Sequence, residues 1–368
     1  MRRLSQVGVA LVGAGGRVGR QVLDLIAGHD PGRLLRLVAV ANSRAACVAP
    51  CGIEAADAPR LLADAGSRGD LATCLLELPR PLVVVDCTAS VDIAARYPRW
   101  LGAGIDVVTP SKLASSADRV LAGAIAAARA KSGAVLRDSA AVGAQLPLLS
   151  TLRELRQAGD RIEHFEAVLS GTLSFVLGRL EHGAALSVAV RDAVTLGYAE
   201  PHPGADLSGE DAARKLVILL RTLGHDIELA EVETVPLVDG PALAESDPQR
   251  LLDALAGLDE LWRARVAVAQ ARRERWIYRA SFDGARARVA PERVGAGHAL
   301  ANLAPCENAL ILHSRYYCAA PLTIAGPGAG VELTAAAVFA DLLEAARRYT
   351  VVPHSRAVSF AERAAAAA

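Results

Sequence analysis

Lysine is almost absent from this chain. Of 40 basic residues only Lys112, Lys131 and Lys215 are lysines, and every other one is arginine. A guanidinium is bulky and effectively never gives up its proton, so a lysine that remains in such a sequence marks a place where a compact, tunable ammonium is wanted. Lys131 reads as a surface lysine near the end of a helix, which leaves Lys112 and Lys215. Net charge is also lacking: 40 Lys and Arg face 40 Asp and Glu. That balance lacks the electrostatic footprint of a nucleic-acid binder and directs attention to a small-molecule partner. No stretch reaches the roughly 20 apolar residues that span a bilayer. The basic, apolar start MRRLSQVGVALVGAGG reads as a buried strand running into a glycine turn, against the alternative of a short secretory signal. A cytoplasmic protein with no membrane partner is expected. Six cysteines in 368 residues make no disulfide framework. Cys47 and Cys51 are spaced to chelate a metal, but no second ligand pair follows, so buried thiols are expected, as they are for Cys74, Cys87, Cys306 and Cys318, which sit in apolar surroundings. Internal repeats are missing too.

What is present is a chain with 52% hydrophobic and 22% charged residues, enough for a large core and two domains. In the first third, short apolar runs at Val7 to Val12, Leu35 to Ala41, Leu82 to Asp86, Asp106 to Thr109 and Ala134 to Arg137 alternate with helical stretches such as Arg17 to Ala27. Continuous apolar strands separated by helices indicate a parallel sheet covered on both faces, a doubly wound, Rossmann-type α/β domain. From Leu148 the pattern changes to helices at Leu148 to Ala158, Leu173 to Glu181 and Glu210 to Leu223. Alternating segments follow at Trp276 to Phe282, Arg286 to Ala290 and Ala309 to His313. These predict a second, α+β domain over 148–319. The first domain then covers 1–147, completed by the C-terminal segment 320–368 with its helix Thr334 to Arg348.

GAGGRVGR, Gly13 to Arg20, follows a predicted strand and opens a helix. That is the context of a dinucleotide fingerprint, in which backbone amides and a helix N-terminus meet a pyrophosphate. Gly13, Gly15, Gly16, Arg17 and Val18 are the candidate contacts. The spacing is irregular: the last glycine is Gly19, so either the loop is one residue longer than usual or it is read through Gly13, Gly16 and Gly19, as in dihydrodipicolinate reductases. The second strand ends in Ala41-Asn42-Ser43-Arg44, with no acid for a ribose hydroxyl. Arg44 suits a 2′-phosphate instead, which leans the cofactor to NADP, with NAD also usable.

Asp211 and Lys215 stand four apart in GEDAARKLVILL, on one face of a helix whose remainder is strongly apolar. An ordinary surface ion pair is the plain alternative, and Ser208 with Asp211 also fits a capping box. A carboxylate and an ammonium in a cleft would hold a polar substrate and exchange a proton with it. Lys112 follows a strand at the carboxyl edge of the sheet, where open α/β sheets bind ligands. His202 and His298 read as structural or solvated.

Taken in order, VVVDCTAS (Val83 to Ser90), VVTPSK (Val107 to Lys112), VGAQLP (Val142 to Pro147), LSGTLSF (Leu169 to Phe175), GYAEPHPGADLSGEDAARKL (Gly197 to Leu216), NALILHSRYY and GAGVELTAAAVFADLL resemble homoserine dehydrogenases. The likeness runs almost end to end and is closest to the dehydrogenase portion of bifunctional aspartokinase–homoserine dehydrogenases, here standing alone. It implies hydride transfer between NAD(P) and the pair L-aspartate 4-semialdehyde and L-homoserine, in threonine, methionine and isoleucine biosynthesis. It implies Lys215 as proton donor, Asp211 as substrate ligand, and Lys112 beside both cofactor and substrate. Glu200 would hold the substrate amino group with Thr172 nearby, while Thr88, Gly197 and Gly330 would lie against the cofactor. It implies a homodimer through the second domain's sheet. Control by threonine through an appended domain is not expected.

The family's acid ahead of the loop that ligates Na+ or K+ falls on Ser139, leaving the backbone carbonyls of Val142, Ala144 and Leu146 as candidate ligands. Ser111 and Gln145 also depart from the usual residues. The alternatives are a reductase of a related amino-acid semialdehyde and a non-catalytic nucleotide-binding homologue.

Overall fold

The computed structural model describes residues 6–30, 33–66, 70–199 and 202–349. Strands β1 (Val7–Val12), β2 (Leu35–Ala41), β3 (Ala46–Val48), β4 (Leu82–Asp86), β5 (Asp106–Val108) and β6 (Leu136–Arg137) form one sheet in the order β3-β2-β1-β4-β5-β6. All pairs are parallel except β3, which turns back on β2. Successive residues of a strand point to opposite faces. Val9 and Leu11 pack under the helices Arg17–His29 and Val331–Arg347, with Val22, Ile26, Val338 and Leu342. Ala10 and Val12 pack on the other side against Leu75, Trp100 and Ile125, from the helices Leu71–Glu77, Tyr97–Gly102 and Arg119–Ser132. Both faces are covered, and for that reason these strands read as unbroken apolar runs.

The second sheet contains β7 (Ile162–Val168), β8 (Glu233–Thr234), β9 (Glu274–Phe282), β10 (Ala287–Gly295), β11 (Glu307–Ser314) and β12 (Leu322–Pro327), ordered β12-β11-β7-β9-β10-β8. It is antiparallel throughout except where β8 joins β10. Phe165, Tyr278 and Leu310 on one face meet Leu173 and Leu216 of the helices Gly171–Glu181 and Glu210–Leu223. The opposite face carries a small separate cluster around Val168, Ile277 and Ile311.

Three differences from the sequence expectations have physical reasons. The segment expected to return whole to the first domain divides: 322–327 becomes β12, an edge strand hydrogen-bonded to β11, and only the helix Val331–Arg347 packs on the first sheet. Strand β7 escapes the sequence because only its last half is buried, leaving IEH too polar to stand out. Cys51, Cys74 and Cys318 are exposed rather than buried, on turns and the outer side of a short helix; among the described residues no group of metal-ligating side chains forms. Nor is any described helix long and apolar enough to cross a membrane.

The irregular glycine loop is resolved by close packing. Gly13 has φ +86, and a β-carbon there would lie 2.8 Å from the Cys87 carbonyl; one on Gly19 would lie 2.2 Å from the Gly13 carbonyl oxygen. Gly19 therefore takes the role of the glycine that lets helix and strand approach. Both obstacles are backbone and cannot rotate away. We expect Gly19→Ala to destabilise the chain by about 1–3 kcal/mol, read as a lower denaturant midpoint; an unchanged midpoint would contradict this packing.

Candidate active site

The helix Glu210–Leu223 starts at Gly209, whose φ is +80. A β-carbon on Gly209 would lie 1.8 Å from Tyr278 Oη, which itself donates to the Val235 carbonyl at 2.7 Å. This tight approach makes Gly209 the N-cap and removes Ser208 from that position. Ser208 Oγ instead donates to the Ala205 carbonyl and accepts from the Glu210 amide. The capping box that the spacing allowed does not form, and the Asp211 carboxylate is left for other partners.

Those partners are the two lysines. Lys215 Nζ lies 2.7 Å from Asp211 Oδ2, one helical turn away, and Lys112 Nζ lies 3.1 Å from Asp211 Oδ1. Lys112 arrives from beyond β5, so the triad joins the two sheets. Lys215 Nζ also donates to the Leu169 carbonyl at 2.8 Å. An ammonium has three N–H donors; among the described residues two are engaged, which leaves one to meet a ligand. The Lys215 side chain is 15% exposed and that of Lys112 is 31%, so Lys215 is the more enclosed of the two. Burial acts to raise the Asp211 carboxyl, but the adjacent Lys215 and Lys112 ammonium groups outweigh it and hold the group well below the usual carboxylate range. One anion between two cations leaves the triad with an excess positive charge.

A pocket of about 470 Å³ opens beside the triad, lined by Arg17, Thr172, Gly197, Tyr198, His202 and Asp211 among others. Thr172 Oγ1 donates to the Tyr198 carbonyl at 2.6 Å and so ties the Gly197 loop to the helix Gly171–Glu181. His202 hydrogen-bonds through both ring nitrogens, to the Glu245 carbonyl and the Gly204 amide, which is a structural role. Arg17, taken from sequence as a phosphate contact, reaches this pocket from the first domain. It makes no ion pair among the described residues. Glu200 lies outside the described residues.

Along the first sheet's carboxyl edge, Gly15 and Gly16 are exposed, and the first helical turn offers the Arg17 and Val18 amides without helical partners. Thr88 borders Gly13 from the end of β4, where its amide donates to Asp86 Oδ1 at 2.8 Å. A second pocket of about 460 Å³ is lined by Gly15, Arg20, Asn42 and Arg44. Arg20 escaped the sequence analysis, although its place in GRVGR, three residues from Arg17, was a signal. Together the free amides, the open glycines and the two arginines fit the phosphates of a dinucleotide. Gly330, at φ +127, opens the helix Val331–Arg347.

The residues expected around a monovalent cation do not fit one. Ser139 presents no charge, and its hydroxyl and amide both donate to Asp341, at 3.0 and 2.8 Å. The Leu146 carbonyl accepts from the Leu148 amide at 2.8 Å. Val142 and Ala144 offer only uncharged backbone carbonyls, and the carboxylates beside Ser139, Asp138 in sequence and Asp341 by hydrogen bond, face Arg153 and Arg137.

Two family models match the chain: one described as homoserine dehydrogenase over residues 147–343, and one described as homoserine dehydrogenase, NAD binding domain, over residues 13–137. The chain is 35% identical over 313 residues to a bifunctional aspartokinase/homoserine dehydrogenase of Haemophilus influenzae, covering 84% of this chain and 38% of that protein's length. It is 35% identical over 278 residues to a homoserine dehydrogenase of Schizosaccharomyces pombe, covering 73% of this chain and 74% of the relative. A crystal structure of a Candida auris protein of unknown function superposes with a TM-score of 0.86 at 29% identity, covering 94% of this chain and 99% of that one.

Because the Asp211 carboxyl is held low, the stability its ion pairs contribute is complete above the ordinary carboxylate pKa of about 4. It is lost as pH falls from there through the depressed value. The stability difference between wild type and Asp211→Asn is therefore expected to be largest near neutral pH and to shrink below pH ~4, measured by denaturant titration across pH. A difference that grew with acidification would contradict the assignment.

Proposed function

The chain belongs to the homoserine dehydrogenase family, and we propose that it is an NAD(P)-dependent oxidoreductase interconverting L-aspartate 4-semialdehyde and L-homoserine. The observation that carries this reading is the triad: a lysine held by a carboxylate and a carbonyl, with one N–H unengaged among the described residues, at the edge of a pocket that Arg17 of the glycine loop also lines. Bound NAD(P) supplies hydride for the aldehyde carbon in the reducing direction. Lys215 gives its proton to the developing alkoxide, and Asp211 fixes the ammonium and stabilises the charged form that must be restored. Lys112 adds a second positive charge beside the reacting oxygen.

Binding follows from charge. The substrate's α-carboxylate suits a site whose triad carries excess positive charge and whose pocket is also lined by Arg17. Thr172 Oγ1, already donating, keeps lone pairs for the substrate ammonium, with Glu200 as the expected anionic partner. Arg44 and Arg20, lining one pocket at the end of β2, support NADP over NAD, because a 2′-phosphate takes guanidinium partners where a free hydroxyl would take an acid. The protein is read as a cytoplasmic homodimer, with the face of the second sheet opposite the main core as the joining surface.

The primary test is oxidation of NADPH and NADH with aspartate 4-semialdehyde against a panel of other aldehydes; equal rates with unrelated aldehydes would defeat the substrate assignment. Lys215→Arg should keep the fold and lose turnover by on the order of 100-fold or more, since guanidinium does not release its proton. Near-normal turnover in that variant would sink the role. Replacing Arg20 and Arg44 together by alanine should raise KM for NADPH on the order of 10-fold to 100-fold while changing KM for NADH little.

A further inference from the structure

We propose that the guanidinium of Arg153 is the resident cation of the loop 138–147, and that this chain needs no monovalent metal ion there. The family resemblance sets an acid and three carbonyls around such an ion, and this chain has lost the acid at Ser139. The charge is supplied from elsewhere in the chain. Arg153, on the helix Leu148–Gln157, donates from Nη1 to Ser139 Oγ at 3.3 Å and from Nη2 to Asp138 Oδ1. Asp138 in turn accepts from Ser115 Oγ. On the other side Ser139 gives its amide and hydroxyl to Asp341 of the helix Val331–Arg347, which Arg137 approaches at 3.9 Å. The side chains of Asp138 and Asp341 are 10% and 8% exposed.

Each enclosed carboxylate thus faces a guanidinium, Asp138 that of Arg153 and Asp341 that of Arg137, which Glu344 approaches as well. An alkali ion entering at Ser139, where the resemblance sets the acid, would meet the Arg153 guanidinium hydrogen-bonded to that residue, and would have to displace a half-buried ion pair. Access does not decide the matter. A pocket of about 560 Å³ lined by Arg137, Ser139, Arg153 and Asp341 lies at the same place, so solvent ions reach the loop.

The position gives Arg153 a consequence for the active site. The loop links β6 to the first helix of the second domain, and Ser115 stands three residues beyond Lys112. Arg153 therefore binds together the end of the first sheet, the helix that begins the second domain and, through Asp138, the segment carrying Lys112. It acts as a positioning residue for the Lys112–Asp211 contact.

The test uses the full chain in alkali-free buffer, with NaCl, KCl or tetramethylammonium chloride added to equal ionic strength. Wild type should show the same Tm and the same kcat and KM in all three salts. Arg153→Met, which leaves the Asp138 carboxylate unpaired, should lower Tm and cut turnover on the order of 10-fold to 100-fold. Na+ or K+, but not tetramethylammonium, should then recover part of both, while Arg153→Lys, which keeps the charge but not the two-armed contact, should lie between Arg153→Met and wild type. A saturable rise in wild-type Tm or kcat specific to Na+ or K+ overturns the proposal, as does an Arg153→Met protein with unchanged Tm and kinetics. If Arg153→Met does not fold, the wild-type salt series and Arg153→Lys decide. The kinetic arm rests on the proposed activity; the Tm arm does not, so failure of the substrate assignment would leave the cation result readable.

Discussion

A single carboxylate shared by two ammonium groups ties this molecule's two halves together. Asp211 belongs to a helix packed on the second sheet, Lys215 stands one turn along it, and Lys112 comes from the carboxyl edge of the first. An enclosed carboxylate is costly without partners; with both lysines it stays ionised and holds each ammonium at a fixed distance. Neighbouring contacts reinforce the same junction: Arg214 donates to Ser116 Oγ, Arg221 to the Ser115 carbonyl, and Arg119 pairs with Asp226 and Glu231. The segment following Lys112 is thus held from several sides by the helix Glu210–Leu223 and the loop after it.

Two glycines make that geometry attainable. Gly19 lets the helix Arg17–His29 sit against the Gly13 backbone, which brings its N-terminal amides to the sheet edge. Gly209 lets the helix Glu210–Leu223 begin against Tyr278, which brings Asp211 into its first turn facing the cleft. In both cases the obstacle to a side chain is a neighbour that cannot yield cheaply. Both helix N-termini then meet the same cleft, one suited to phosphates and the other carrying the acid of the triad.

Much of the fold was legible because burial on two faces leaves a plain record: β1, β2 and β4 appear at their full lengths as apolar runs. Half-buried and edge strands leave a weaker one. β12, LTIAGP, alternates partly buried with exposed residues, and β7 is exposed along its first half, so neither stood out. The scarcity of lysine and the i,i+4 spacing point to Lys112, Asp211 and Lys215, which the structure brings together. They do not point to Arg20, Arg153 or the Leu169 carbonyl, because an arginine among many carries no signal and a backbone acceptor carries none at all.

The sequence by itself determined the two layered domains, the dinucleotide loop and the family to which the chain belongs, since each is written in local periodicity or in ordered motifs. Only the tertiary structure decided what Asp211 pairs with. Spacing allowed an isolated surface pair, a helix cap or a cleft pair that holds a substrate, and Gly209, whose contact with Tyr278 displaced the cap, left the carboxylate free to meet Lys112 as well. The partner Lys112 stands 99 residues away in the chain. Such a contact is set by how two sheets dock, which no local pattern records.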